Sequence, residues 1–460
     1  MIHPRIRHLS LFLSVVTTAA LGAQTPSAAG AWSGTIKAPP VPIDVVIVLQ
    51  QESPDAWTGT IDIPAQGASG RPLEQITISP PNVTFAIKGV AGAPTFTGVL
   101  SADGQTIDGT VKQGRATMPF TLTRRSDAAE AQAAIKPRRP QEPARPFPYD
   151  EEEVTYKNGD VTLAGTLTRP RSGGPFPAVA LITGSGAEDR DETMVGHKPF
   201  LVLADYLTRH GIAVLRADDR GVGGSTGRVN DSTSVDFAED ALAGVRLLKS
   251  RKDIDATHIG LIGHGEGGLI APIAATRSTD VAFIVMMAGP GLPGEDILYL
   301  QGAAIAKAAG APDAAIAANR AVLEKIFTIV KTVDDPASRA AQVRAIAPLG
   351  QADAMVTPWF RYFLTYDPRP TLRAVRCPVL AINGEHDLQV PYQENVAAIK
   401  AALDEGGNRD HTIEMLLGLN HLFQTSATGL PGEYARIEET IAPAALERIT
   451  DWILLKTARS

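Results

Sequence analysis

The sequence predicts two folded parts: a small antiparallel all-β domain, then an α/β domain with a largely parallel sheet and an inserted helical cap. Three observations predict this. Residues 31–125 run in short alternating apolar pieces separated by Gly, Pro, Asn and Asp, as half-buried strands do. Residues 150–460 alternate strand-like apolar runs with helix-period segments, the pattern of parallel strands joined by crossover helices. Between about 291 and 373 that alternation stops and an alanine-rich helical stretch replaces it.

At the start of the chain, Arg5 and Arg7 precede an apolar run over 9–21 that ends in Ala20, Gly22 and Ala23. This three-part pattern predicts a secretory signal peptide, 1–23, cleaved near Ala23, and a periplasmic or extracellular protein. The run falls short of the roughly 20 residues that span a bilayer, so no stable membrane span is expected. No cysteine follows it to carry a lipid. Cys377 is the single cysteine, which suits an oxidising compartment and excludes an intrachain disulfide or a cysteine-rich metal site. With 43 basic and 50 acidic side chains, a net charge of -7, there is no basic field for nucleic acid.

In the β domain the runs at 43–49, 57–63, 83–87, 96–100, 107–111 and 120–122 suggest about eight strands, curled into a barrel or half-barrel. Such barrels often hold an apolar ligand, but no catalytic pattern appears here and a structural or substrate-presenting role is expected. Residues 126–149 are rich in Pro, Ala and Arg without apolar periodicity and read as a linker. Strands are then expected at 178–182, 212–215, 259–262, 281–287, 379–382 and 413–417. Helices are expected at 200–209, 235–248, 269–275, 393–403 and 444–455. In the cap, Trp359, Phe360, Tyr362, Phe363 and Tyr366 either line a pocket or pack together.

The most informative string is HIGLIGHGEGG, a strand running into a helix through residues 263–268. Read as G-x-G-x-x-G, it is a dinucleotide fingerprint, which also wants an acidic residue at the end of the next strand. That strand ends in Met287, Ala288 and Gly289, and the string sits late in the sheet. Read as a nucleophile elbow, G-x-S-x-G, it has Gly263 and Gly267 in place, but Gly265 stands where the serine belongs. The remaining constellation favours the elbow. Asp387 follows the strand-like PVLAING and His421 follows TIEMLLGL, so both lie at strand ends, in the order nucleophile, acid, histidine. The turn LITGSGAEDRDE can offer the Ser185 N–H to an oxyanion together with the N–H of Glu266. The Glu266 side chain is expected to point away from the pocket. In ADDRGVGGSTG, Asp219 and Arg220 read as structural.

From about residue 139 onward the chain resembles the exported two-domain bacterial α/β-hydrolases, acyl esterases related to the serine aminopeptidase-like group. The residues that carry this are RPQEP, GSG with DRDE, GHKPFLVLADYLTRHGIAVLR, DDRGVGGSTG, LIGHGEGG, NGEHDLQVP and LNHLFQ. The resemblance implies an α/β-hydrolase fold with a helical cap and hydrolysis of a small-molecule acyl ester without metal or organic cofactor. It assigns the general base to His421, its orienting acid to Asp387 and the oxyanion donors to Ser185 and Glu266. In that family the elbow reads GHSEGG, so Gly265 occupies the nucleophile's place and activity as encoded is expected to be slow or absent. The different-class alternative is a ligand-binding pseudohydrolase; a third reading is an aminopeptidase or amidase. Retention of Asp387 and His421 favours recent loss or a deliberate replacement over a long-established binder. Substitute nucleophiles would be Ser185 or a water activated by His421. The identity of the ester and the oligomeric state stay open at this level.

Overall fold

The computed structural model describes residues 26–66, 68–90, 92–347 and 352–458. The expected signal segment, 1–23, lies outside the described residues. No helix among the described residues is long and apolar enough to cross a membrane. The chain divides into two compact units, an all-β one and an α/β one.

The first unit is a closed eight-stranded antiparallel barrel. Its strands are β1 (Gly30–Ile36), β2 (Ile43–Ser53), β3 (Ala56–Ile63), β4 (Ala68–Ser79), β5 (Asn82–Ile87), β6 (Thr95–Leu100), β7 (Thr106–Gln113) and β8 (Ala116–Arg125). Pairing of β1 with β8, from Ala31 opposite Arg125 to Ile36 opposite Phe120, closes the ring and leaves no free edge. The alternation seen in the sequence sends one face of each strand inward. An eight-stranded barrel is just wide enough for side chains to fill. Here Trp32, Phe85, Phe96 and Phe120 fill it, with Phe85 stacked on Phe96 at 4.8 Å and Phe96 tilted against Phe120 at 5.3 Å. The centre is therefore packed core, with no room left for the apolar ligand that such barrels often hold.

Part of the stretch 126–149, expected to be a linker, is helical. Its alanines form helix α1 (Ala128–Ile135), which buries Ala131 against Ala31 and Val46. The Asp127 carboxylate accepts the Glu130 N–H at 2.8 Å and so caps it. Further on, Arg139 donates to the carbonyls of Gly196, Ala435 and Ile437. The Gln141 side-chain oxygen accepts the N–H groups of Thr440 and Ile441. These bonds hold residues 139–141 within the α/β unit in a way that composition does not reveal.

The α/β unit has strands β9 (Asp150–Asn158), β10 (Val161–Arg169), β11 (Phe176–Ile182), β12 (Ala213–Ala217), β13 (Ile254–His264), β14 (Phe283–Met287), β15 (Val379–Gly384) and β16 (His411–Leu416). They lie in the order β16-β15-β14-β13-β11-β12-β10-β9. All neighbours from β12 to β16 run parallel; β9 and β10 form an antiparallel hairpin on the β12 side. This hairpin was not among the expected strands. Its signal was the Asn158-Gly159 turn, where Gly159 has φ +57°.

Helices cover both faces. On one, α3 (Ser234–Lys249), α4 (Gly267–Ala275) and α10 (Tyr392–Glu405) bury Leu242, Leu248, Ile273, Ile399 and Leu403. On the other, α2 (Pro199–Arg209) and α12 (Pro443–Thr457) bury Phe200, Leu207, Ile449 and Trp452. Between β14 and β15 the chain inserts α5 (Gly294–Ala308), α6 (Asp313–Thr332), α7 (Pro336–Arg344), α8 (Pro358–Thr365) and α9 (Arg369–Ala374). This cap has its own core of Ile326, Phe327, Val330, Val343, Phe360 and Leu364. A short α11 (Pro431–Tyr434) follows β16. The order of β11, β12 and β13 makes the chain leave β11 on one side and return on the other. A crevice therefore opens at the carboxyl ends of these strands, where α/β sheets place their sites.

The packed barrel carries a direct test. Phe96→Ala is expected to destabilise the first unit by about 3–5 kcal/mol, read as a shifted midpoint in denaturant unfolding.

Candidate active site

β13 ends at His264 and α4 begins at Gly267, so the chain must reverse within two residues. It does so with Gly265 in the left-handed region at φ +52°, where an L side chain costs roughly 1–2 kcal/mol. The flanking glycines are required by close approach. A Cβ on Gly263 would lie 2.0 Å from the Gly267 carbonyl oxygen, and one on Gly267 would lie 2.1 Å from that of Ile182. At Gly265 the space is different in kind. Apart from the adjoining residues, the atoms nearest to a Cβ there would be His421 Nε2 at 3.5 Å, His421 Cε1 at 3.8 Å and Gly184 Cα at 3.8 Å, all ordinary contacts.

The acid and histidine arrive from the ends of β15 and β16. Asp387 is buried; its Oδ1 accepts the N–H groups of Gln389 and Val390 at 2.8 and 2.9 Å. Its Oδ2 lies 2.9 Å from His421 Nδ1. This carboxylate selects the tautomer that leaves Nε2 facing position 265. The loop carrying His421 is held by Asn420, whose side-chain oxygen accepts the N–H groups of Leu422 and Gln424. The residues read from the sequence as Gly265, Asp387 and His421 therefore come together.

A second histidine, which sequence reasoning noticed only as part of the glycine motif, supports the first. His264 is buried, with Nδ1 2.8 Å from Glu192 Oε1 and Nε2 2.9 Å from the carbonyl oxygen of His421. Burial works against its charged form, but the Glu192 carboxylate and its hydrogen bond prevail and hold the imidazolium up to about 9. Beside it lie two further acids, both partly buried. Burial, reinforced by the charges of Glu192 and Asp219, pushes Glu188 up to about 8. Burial likewise raises Asp219 to about 7, although the Glu188 N–H and the Thr183 hydroxyl bond its carboxylate at 3.0 and 2.7 Å. Asp219 thus belongs to the polar cluster under the Gly184–Gly186 turn. Arg220 is structural: it pairs with Asp240.

Glu266 departs from expectation. Its side chain does not point away but runs, fully buried, between the elbow and the cap. It accepts the Ser234 hydroxyl at 2.6 Å and the Trp359 indole N–H at 2.9 Å. Burial raises its carboxyl above the usual range. The residue after Gly265 therefore ties the start of α3 and cap helix α8 to the elbow. The cap aromatics divide accordingly. Phe360 is core, Tyr362 and Tyr366 stack on each other, and Trp359 stacks on Phe363 while its indole reaches Glu266. Ser185 itself lies on the exposed rim of the turn.

A β-sheet with this strand order, an elbow after its fifth strand and an acid and histidine after its last two make the second unit an α/β-hydrolase. Residues 198–425 match the family described as serine aminopeptidase, S33. The second unit thus has the α/β-hydrolase fold, and over these residues it is similar to the serine aminopeptidase-like group. The chain is 27% identical over 315 residues to Esterase EstD of Thermotoga maritima, across 67% of this chain and 68% of that protein. Solved structures similar to it include Est1E from Butyrivibrio proteoclasticus with ferulic acid bound (18% identity, 66% of this chain and 100% of that one, TM-score 0.43). Another is the α/β-hydrolase GrgF from Penicillium sp. sh18 (18%, 68% and 100%, TM-score 0.44).

Two expectations follow from the charges. Asp219, Glu188 and His264 all bind protons more tightly folded than unfolded, so the stability they contribute is present at acid pH. It is lost progressively from about pH 4, where the unfolded acids begin to ionise, to about pH 9, where the last of the folded groups, His264, gives up its proton. The melting temperature should fall over that window, and Glu188→Gln should flatten the fall. Removing the Glu266 carboxylate leaves buried donors on Ser234 and Trp359 unpaired. Glu266→Ala should therefore lower stability by about 1–3 kcal/mol and shift the emission of Trp359, whereas Glu266→Gln keeps an acceptor and should do so less.

Proposed function

We propose that this protein is an exported carboxylic ester hydrolase by architecture, with an intact acid–base pair and a glycine at the nucleophile's position. The observation that carries this reading is the alignment of Asp387 Oδ2, His421 and position 265. The carboxylate lies 2.9 Å from Nδ1, and Nε2 lies 3.5 Å from where a Cβ of residue 265 would stand. A serine there would have its hydroxyl one bond beyond that Cβ, within reach of Nε2. Export rests on the three-part pattern of residues 1–23.

With a serine at 265, its Oγ would attack the ester carbonyl carbon while Nε2 takes the hydroxyl proton. The Asp387 carboxylate would stabilise the resulting imidazolium, and the N–H groups of Ser185 and Glu266 would receive the oxyanion. Nε2 would return the proton to the leaving alcohol, and water would release the acid by the same steps. Gly265 has no Oγ, so no acyl-enzyme forms at this residue. In one serine protease, loss of the nucleophile lowers turnover about 10^6-fold and leaves roughly 10^3–10^4 over water from binding and the oxyanion hole.

An acyl ester is favoured as substrate over a peptide by the likeness to a protein named as an esterase. The family's description supplies the rival, an aminopeptidase. The hydrolase reading is preferred to a ligand-binding pseudohydrolase because Asp387 is buried and spent on orienting His421, an arrangement a binding site does not require.

The test is hydrolysis of p-nitrophenyl acetate and butyrate beside an aminoacyl p-nitroanilide. Gly265→Ser should raise turnover on the esters by up to about 10^6-fold, and adding His421→Ala should remove the gain. The same substitution should lower stability by roughly 1–2 kcal/mol, because serine must adopt φ +52°. Activity of Gly265→Ser on the anilide alone would make the substrate a peptide, and inactivity on both would remove the hydrolase reading.

A further inference from the structure

The elbow, GHGEGG over residues 263–268, has only two side chains, those of His264 and Glu266. Glycine has the widest choice of backbone conformation, so the four glycines leave the peptide planes of the turn freer than other residues would. The two side chains are both tied down. His264 is held by Glu192 and by the carbonyl oxygen of His421. Glu266 is held from two sides, by the Ser234 hydroxyl at 2.6 Å on α3 and by the Trp359 indole N–H on cap helix α8, 2.9 Å from each carboxylate oxygen. Glu266 is 3% exposed, so water does not compete for these bonds.

The backbone of the same residue carries a group that an ester needs. The N–H of Gly265 is spent on the Met287 carbonyl at 2.9 Å, and that of Gly268 on the Gly265 carbonyl at 3.0 Å. Among the described residues the Glu266 N–H meets no backbone carbonyl, which leaves it to receive a developing oxyanion. The geometry points to Glu266 as a positioning residue: its side chain, held by Ser234 and by Trp359 of the cap, sets the direction of its own N–H, so the cap helps to hold the transition state. The inference rests on the ester-hydrolase reading and adds to it a route from the cap to the oxyanion. The nitrogen and the Cβ of a residue share one tetrahedral carbon, so bonds at the end of the side chain limit how far the N–H can swing. The other donor, the Ser185 N–H, is braced separately. Glu192 accepts the Gly184 N–H at 3.1 Å and Asp219 accepts the Glu188 N–H at 3.0 Å.

The test is made in the Gly265→Ser protein with p-nitrophenyl butyrate, active sites being counted by a fluorophosphonate label run to completion. Trp359→Phe removes the indole N–H and keeps a ring to stack on Phe363. Removing an oxyanion donor outright costs about 10^2–10^3 in kcat, so letting one turn should cost about 10-fold or more. KM should stay nearly unchanged, and Ser234→Ala should act in the same direction. Glu266→Gln keeps an acceptor and should retain most of the turnover that Glu266→Ala loses. Adding Trp359→Phe to Glu266→Ala should cost nothing further, because both changes remove the same bond.

A loss in Trp359→Phe carried by KM alone would make the cap contact a matter of enclosing the substrate and overturn the inference. So would unchanged kcat and KM, or additive losses in the double change. Each of these leaves the hydrolase reading standing, because Gly265→Ser is still active. If a folded Gly265→Ser is inactive on esters, the hydrolase reading fails and this inference fails with it. Trp359→Phe and Ser234→Ala each leave the Glu266 carboxylate one donor, so they decide the matter even if Glu266→Ala does not fold.

Discussion

The buried His264 ring holds the site in register. Both of its nitrogens are committed, one to the Glu192 carboxylate and the other to the carbonyl oxygen of His421. A ring that donates from both sides carries a charge, and a charge at full burial persists only beside a counter-charge. Glu192 supplies it. One ion pair thereby joins the loop after β11, the elbow after β13 and the loop after β16, and the His421 ring lies tilted against His264 at 4.8 Å. The distance from His421 Nε2 to residue 265 is set by this joint as much as by the Asp387 bond.

The elbow works under a second constraint, the closeness of backbone to backbone. Gly263 and Gly267 let α4 start directly against the ends of β13 and β11, which leaves residue 265 no choice but the left-handed region. A family whose nucleophile sits at that point carries strain there, as active sites commonly do. Glycine relieves it.

Around this turn the polar groups are arranged in layers. Glu188, Glu192, Asp219 and His264 lie beneath the GSG turn, and Glu266 lies on the other side of the elbow, reaching the cap through Trp359. So much buried carboxylate is tolerable because most of it is bonded by hydroxyls, N–H groups and one imidazolium, and because burial keeps part of it protonated. One oxygen each of Glu188 and Glu192 has no hydrogen-bond partner among the described residues, so the cluster is held by the fold as well as supporting it.

The alternation of strands and helices after residue 170, the cap's position and the placement of Asp387 and His421 at strand ends were legible in the sequence. Each is a property of local periodicity or of a motif that a single stretch of chain carries. The β9–β10 hairpin was not, because DEEEVTYKN is too charged to show an apolar rhythm, and α1 was hidden in a composition that reads as linker. A closed barrel could not be told from a half-barrel, nor a filled one from a ligand-binding one, until β1 met β8 and the phenylalanines met each other. In the site, the residue types of the acid–base pair were readable, but the roles of His264, Glu192 and Glu266 were not. Their partners lie 72, 157 and 93 positions away, and a buried polar side chain points wherever its partner stands. The sequence by itself determined which backbone conformations and chemical groups were present; only the tertiary structure decided which buried charges meet, because that depends on contacts between segments that no local pattern encodes.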